Sequence, residues 1–106
     1  LFASVDGISK VGSYTGNGSA TERTITLGFQ PRFIIIKNAD GTNSWEVLDT
    51  TRGWGSGGDE RLWLDGDWAQ DGDTNVGAPT STGFTLATEY TGMNANNNTY
   101  IYYAHA

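Results

Sequence analysis

The aspartates between positions 65 and 73 are the residues with the clearest capacity for metal chemistry. Ca2+ takes about six to eight hard oxygen ligands, which clustered carboxylates can supply. The segment begins like a calcium-binding EF-hand loop, but Gln70 stands where the turn glycine is needed and Val76 replaces the closing glutamate. Asp-Gly pairs also form turns, so a solvated acidic loop is the favoured interpretation and a Ca2+ site the alternative. The four candidate metal ligands are Asp65, Asp67, Asp71 and Asp73.

Residues that could perform catalysis are scarce. The chain has no cysteine, and its one histidine is His105, so a Ser–His–Asp triad or a multi-histidine metal site has almost nothing to use. His105 could act as a pH switch or contribute to a metal site on a trimer axis, but a terminal histidine is more often solvated. Paired carboxylates hydrolyse glycosides only across a cleft, which a small sandwich rarely offers. We therefore predict a non-enzymatic protein without catalytic residues.

Four tryptophans in 106 residues form a second set of candidates. Trp54 lies between two glycines and Trp68 between Asp67 and Ala69, so neither has an apolar sequence neighbour that would mark it as core. Contact with a neighbouring subunit is the favoured interpretation, because tryptophan is enriched at interfaces. Stacking on a glycan and closure of the end of the domain are the alternatives. The candidate residues for contact with a ligand or partner are Trp54, Trp68, Arg52, Asn96 and Asn97.

Charge and hydropathy exclude several classes of partner. The net charge is −6, and the six basic residues are scattered along the chain. Without a basic stripe, we expect no binding to nucleic acid and none to anionic membrane surfaces. The longest apolar run, residues 33–36, is far shorter than the roughly 20 residues that span a bilayer, so we expect no membrane insertion.

Short strands with frequent turns must position these residues. Only 17% of the residues are charged, and 15 glycines accompany many threonines, serines and asparagines, a composition typical of strands joined by tight turns. Residues 24–27 alternate threonine with Ile25 and Leu27, as a half-buried strand does. We predict an all-β, antiparallel β-sandwich, jelly-roll-like or Ig-like, with loops at 53–58, 65–79 and 94–98. Its seven strands lie near residues 10–15, 23–27, 33–38, 45–49, 60–64, 83–88 and 99–104.

Two of these segments are apolar on both faces. Residues 33–36 read Phe-Ile-Ile-Ile, and the last strand carries aromatic residues in both registers. Such strands suit the middle of a sheet that is covered on each side, and a neighbouring subunit could provide one cover. The candidate residues of an oligomer interface are Phe33, Ile35, Tyr100 and Tyr102. A chain of this length forms one domain, which we place at residues 10–106, with residues 1–9 as an N-terminal connector.

The order of motifs resembles that of a known family. The most specific parts are Phe-Gln-Pro-Arg-Phe-Ile-Ile-Ile-Lys at 29–37, Asp-Thr-Thr-Arg-Gly at 49–53 and the aromatic strand at 99–106. Over about residues 10–106, the chain resembles a small β-sandwich module of tailed bacteriophages, notably marine phages, which occurs in tail-fibre-like and other virion surface proteins.

The resemblance implies a virion structural protein on the exterior of the particle. It implies assembly as a homotrimer and contacts with capsid or tail subunits, but supplies no catalytic residues. Attachment to a host receptor at a tail tip and decoration of a capsid both remain open. Since the loops depart from the family pattern and loops carry specificity, no ligand is implied. A glycan-binding module that uses exposed tryptophans in its loops is the alternative function.

Overall fold

The computed structural model describes residues 3–19, 21–43, 45–55, 59–63, 71–74, 76–88, 90 and 92–106. Within these ranges the chain forms eight β-strands, one short 3-10 helix and no α-helix, which confirms the predicted all-β class. No helix in the described ranges has the length and hydropathy to cross a lipid bilayer. The strands are β1 (Ser9–Thr15), β2 (Arg23–Thr26), β3 (Phe33–Asn38), β4 (Glu46–Asp49), β5 (Asp59–Trp63), β6 (Asp71–Thr74), β7 (Gly83–Leu86) and β8 (Thr99–His105).

Six strands form one antiparallel sheet in the order β1-β8-β3-β4-β5-β6. The two most apolar strands, β3 and β8, are neighbours inside this sheet, which confirms their predicted place in its middle. A loop containing Asp40-Gly41 joins β3 to β4, and the Asp40 carboxylate accepts a hydrogen bond from the backbone N–H of Thr99 at 2.6 Å. The Asp40 side chain therefore ties this loop to the start of β8.

A second layer covers one face of the six-stranded sheet. It contains the antiparallel pair β2 and β7, extended by residues 76–80, which hydrogen-bond to β7 through Thr85 N–H to Ala78 O at 2.8 Å. The predicted loop at 65–79 is wrong for residues 71–74, which form β6, and residues 76 and 77 are buried and not on the surface. Backbone hydrogen bonds build these segments with few apolar side chains, so hydrophobic periodicity gives no signal for them.

The core between the two layers is rich in aromatic side chains. Phe84 of the second layer meets Tyr102 edge-on, with ring centroids 5.8 Å apart, and Tyr14 stacks on Tyr100 at 5.2 Å. Ile34 and Ile36 from β3 complete the centre and are fully buried. Each buried side chain of this size contributes roughly 1.5–3 kcal/mol of transfer free energy, so this contact holds the layers together.

The two faces of β3 and β8 have different roles. Tyr100 is fully buried and Tyr102 is 6% exposed, both in the core, so their assignment to an oligomer interface is wrong. Phe33 and Ile35 lie in the opposite register and are only half-buried. Side chains alternate strictly along a strand, but an apolar run in both registers does not reveal which face meets the second layer.

Residues 3–8, within the predicted connector, fold back onto the edge of β1. Val5 and Ser9 exchange backbone hydrogen bonds of 2.9 Å, and the Ser4 hydroxyl accepts from Val11 N–H at 3.0 Å. The Ser9 hydroxyl donates to Ala3 O at 2.7 Å. These contacts satisfy backbone groups that an edge strand otherwise leaves open to unwanted pairing.

Candidate functional site

The face of the six-stranded sheet turned away from the second layer, here called the outer face, carries a continuous row of apolar side chains. The four strand registers place Val11 opposite Tyr103, Tyr103 opposite Ile35, Ile35 opposite Val47, and Val47 opposite Leu62. Ile35, Val47 and Tyr103 alternate with buried neighbours on their strands and therefore point to the outer face. Val11 and Leu62 share that face, because each lies directly opposite one of these residues on the adjacent strand. The apolar row, as we call these five residues, therefore crosses five adjacent strands.

Further apolar side chains flank the apolar row. Ile101, beside the row, is 42% exposed, and Val11, at one end of the row, is 43% exposed. Trp45 immediately precedes β4, and the strand alternation places it on the outer face, where it is 36% exposed. Phe33 lies on the opposite side of the row, opposite His105 on one neighbouring strand and Asp49 on the other. An antiparallel sheet whose second face meets water usually shows polar side chains there, so the outer face has the character of an interaction surface.

Lys37 lies within this apolar surface, but its charged group is directed to one side. Its Nζ donates to Asn38 O at 2.8 Å and to Gly41 O at 3.3 Å, at the end of β3. The ammonium group therefore lies toward the loop between β3 and β4, and the aliphatic stem extends the apolar surface.

At one end of the domain, the buried side chain of Asn94 fastens several loops. Its Nδ2 lies 2.8 Å from Asn17 Oδ1 and 2.8 Å from Thr88 O, and its Oδ1 accepts from Asn17 N–H at 3.1 Å. Arg23 Nη2 also donates to Asn94 Oδ1, at 3.3 Å, while its guanidinium lies 5.5 Å from the centre of the Tyr14 ring. Asn94 was predicted only as part of a turn, since a sequence does not distinguish a buried amide from a solvated one.

The candidate contact residues do not form one site. Asn96 and Asn97 are exposed beside the loop at 16–19, where Asn97 adopts a left-handed φ of 67° and donates to Gly16 O at 2.9 Å. Arg52 lies in the 3-10 helix that follows β4, near the other end of the sheet. The length of β8 separates the two ends by about 20 Å, at the usual rise per strand residue.

Trp54 is a core residue, so its prediction as an exposed contact residue is wrong. It is 3% exposed, and its ring lies 6.4 Å from that of Phe84. Asp49 caps the 3-10 helix by accepting from Thr51 N–H at 2.7 Å, and Gly53 then turns with a left-handed φ of 116°. The flanking glycine thus allows a turn before Trp54 packs inside, and does not signal exposure. Trp68 lies outside the described residues.

The acidic segment is only partly described. Asp65 and Asp67 lie outside the described residues, and only the backbone of Asp71 and Asp73 is placed, in β6. Among the residues that the structure describes, no group of three or more His, Cys, Asp or Glu side chains could hold a metal ion. The Ca2+ site on these four aspartates therefore stays a prediction.

One carboxylate that the sequence did not single out is fully buried. Glu46 lies on the core face of β4, opposite Ile36, with no solvent exposure. A Cβ at Gly92 would approach Glu46 Oε1 to 2.7 Å, so the absence of a side chain at Gly92 makes room for the carboxylate. The alternation of β4 could have predicted the burial, because Glu46 shares its face with Leu48.

The core tyrosines have a structural role at neutral pH. Burial raises the pKa of Tyr14 far above its ordinary value, and the nearby Arg23 opposes this only in part. The Tyr14 hydroxyl donates to Met93 O at 2.6 Å. Burial also raises the pKa values of Tyr100 and Tyr102. These hydroxyl groups therefore stay protonated, and that of Tyr100 accepts a hydrogen bond from Ala95 N–H at 2.7 Å.

Comparison with known proteins gives a family without an assigned activity. The family model described as "Domain of unknown function (DUF7483)" matches residues 1–106. The chain belongs to this family. No curated protein and no solved structure matches the chain significantly. The family therefore adds no substrate or partner, and the outer face is the feature from which a function can be argued.

Proposed function

We propose that this domain is a non-enzymatic structural module of a bacteriophage virion, displayed on the exterior and assembled through the outer face of its six-stranded sheet. The apolar row is the observation that carries this proposal, because it joins five strands into one apolar surface on the side without the second layer. Exposed apolar surfaces of this kind mark sites of protein association.

The resemblance to phage modules supports the virion setting. Its two most apolar motifs, at 29–37 and 99–106, contain β3 and β8. These strands supply core side chains on one face and central residues of the outer face on the other. The partners that fit the proposal are other copies of the chain and capsid or tail subunits, for attachment or for capsid decoration.

The glycan-binding alternative has less support from the described residues. Trp54, one of its two candidate platforms, is inside the core. Trp45 is exposed but belongs to the apolar surface of the outer face, where flat contact with another protein is favoured over a polar sugar site. We therefore assign the outer face to protein association.

The solution mass of the purified chain tests this proposal. We expect an oligomer in light scattering, and we expect Ile101→Asp to give a monomer, because it places a charge among the exposed apolar residues. Thr24→Asp is the matched control. It adds the same charge at an exposed strand position in the second layer, so its mass should equal that of the unmodified chain.

The opposite result would overturn the proposal. If the chain stays monomeric up to about 1 mM, where a contact of about 4 kcal/mol is half formed, the outer face is not an assembly surface for this chain. An oligomer unaffected by Ile101→Asp, in a variant that melts at the same temperature, would place assembly on another surface.

A further inference from the structure

We infer that the outer face pairs with the same face of a second copy of this chain, across a two-fold axis that runs along β3. The inference rests on the proposed function and names the partner of that surface. It follows from the order of the strands, from the positions of the side chains that would meet, and from the distribution of exposed apolar residues.

The apolar row extends over two strands on each side of β3. Five strands carry the apolar row in the order β1-β8-β3-β4-β5, so an axis along β3 exchanges β8 with β4 and β1 with β5. Ile35 then meets the partner's Ile35, Tyr103 meets the partner's Val47, and Val11 meets the partner's Leu62. Every member of the row is thereby covered by another apolar side chain.

The flanking residues match under the same operation. On one side of the row, Ile101 meets the partner's Trp45, which joins two exposed apolar side chains. On the other side, Phe33 meets its own copy, and His105 meets the partner's Asp49, a basic side chain against a carboxylate. Two copies of each contact form, because the operation is its own inverse.

Lys37 lies on β3 and therefore close to the axis, where two like charges would repel. Its Nζ is held by Asn38 O and Gly41 O at the end of the strand. That position removes the ammonium from the middle of the contact and keeps it accessible to water. The repulsion between the two copies of Lys37 is thus relieved by contacts within each copy.

The exposed apolar residues favour pairing of two outer faces over pairing of the outer face with a different surface of another copy. Among the described residues, the large exposed hydrophobic side chains are Val5, Ile8, Val11, Trp45 and Ile101. Three of these lie on the outer face, and the other two lie on the turn before β1. A three-fold trimer needs two different complementary surfaces, and two side chains on one turn do not match a row of five.

The area predicts a weak pairing. Five strands at a spacing of about 4.8 Å, with three rows of side chains, give a patch of about 24 by 20 Å. Two such patches bury on the order of 1,000 Å2 together, which is near the lower bound for a specific interface. We therefore expect a dimer whose population rises with concentration in the micromolar range.

Paired charge substitutions test the axis. Val11 and Leu62 of one copy are four strands apart, about 19 Å, so charges at these positions cannot compensate each other within a chain. Across the inferred axis they face each other. In sedimentation velocity we expect Val11→Lys and Leu62→Glu each to weaken dimerisation at least tenfold. We expect the double variant to recover to within about threefold of the unmodified chain.

A mismatched pair serves as the control. Val11→Lys with Leu62→Lys places two like charges on the positions that meet across the inferred axis, so this double variant should stay monomeric. Thermal denaturation of each variant separates a loss of dimerisation from a loss of folding.

The outcomes separate this inference from the proposed function. A dimer whose matched double variant fails to recover, although it is folded, overturns the axis along β3. A stable trimer sensitive to Ile101→Asp also overturns it, while the assembly role of the outer face is retained. A monomer at every concentration overturns both.

Discussion

At the residue scale, a few buried polar groups hold the loops, and Asn94 is the most connected of them. Its amide joins the loop at 16–19 to Thr88 and also accepts from Arg23. Low-dielectric surroundings make a satisfied network of this kind valuable and a broken one costly. The loops at this end of the domain are therefore held in place by hydrogen bonds, although their composition resembles that of flexible loops.

We predict that Asn94→Ala lowers the free energy of unfolding by about 2–4 kcal/mol, because it leaves several buried partners without a hydrogen bond. Asn96→Ala is the matched control, since Asn96 is exposed and makes no side-chain hydrogen bond to the described residues. Its effect should stay within about 0.5 kcal/mol. Urea denaturation measures both variants, and equal effects would contradict the role given to Asn94.

At the element scale, close approach of backbones builds the second layer. Gly77 has a left-handed φ of 134°, and a Cβ there would collide with the carbonyl oxygen of Thr85 on β7. The contact explains how residues 76–80 add to β7 in a segment with little apolar content. Glycine is required here both by its dihedral angle and by the space available.

We predict that Gly77→Ala costs at least about 3 kcal/mol, since strain and a backbone collision add. Gly28→Ala is the control for strain alone. Gly28 has a φ of 91°, but nothing lies within 4 Å of the position of its Cβ. We expect a cost of about 1–2 kcal/mol for that variant. Denaturation midpoints that show the same loss for both would contradict the close packing of residues 76–80 on β7.

At the scale of the whole molecule, the six-stranded sheet has two apolar faces with different contacts. The inner face of the six-stranded sheet meets the second layer, and the outer face is proposed to meet another chain. The two described tryptophans outside β5 illustrate the division. Trp54 is inside the core, while Trp45 lies on the outer face with 36% of its surface exposed.

We predict opposite effects for these two tryptophans. Trp54→Ala should lower the free energy of unfolding by about 3–5 kcal/mol, as expected for the loss of a large core side chain. Trp45→Ala should change the stability of the monomer by less than about 1 kcal/mol but should weaken self-association. Thermal denaturation at low protein concentration, together with sedimentation, measures both effects. A Trp45→Ala variant with unchanged self-association would contradict its place in the contact.

The sequence by itself determined the fold class and most of the strands. Alternation at residues 24–27 and the apolar run at 33–36 predicted β2 and β3, because strand formation follows local side-chain periodicity. It did not predict β6 or the pairing of residues 76–80 with β7. Those segments pair with neighbouring strands through backbone hydrogen bonds, for which the side-chain pattern carries no signal.

Only the tertiary structure decided which face of these strands lies in the core. Residues 33–36 are apolar in both registers, so only the position of the second layer separates Ile34 in the core from Ile35 on the outer face. The same holds for Tyr102 and Tyr103 on β8. The apolar row depends on the pairings of β8 with β1 and with β3, which join strands that are far apart in sequence. Such pairings arise from the packing of the whole domain, which no local pattern of residues specifies.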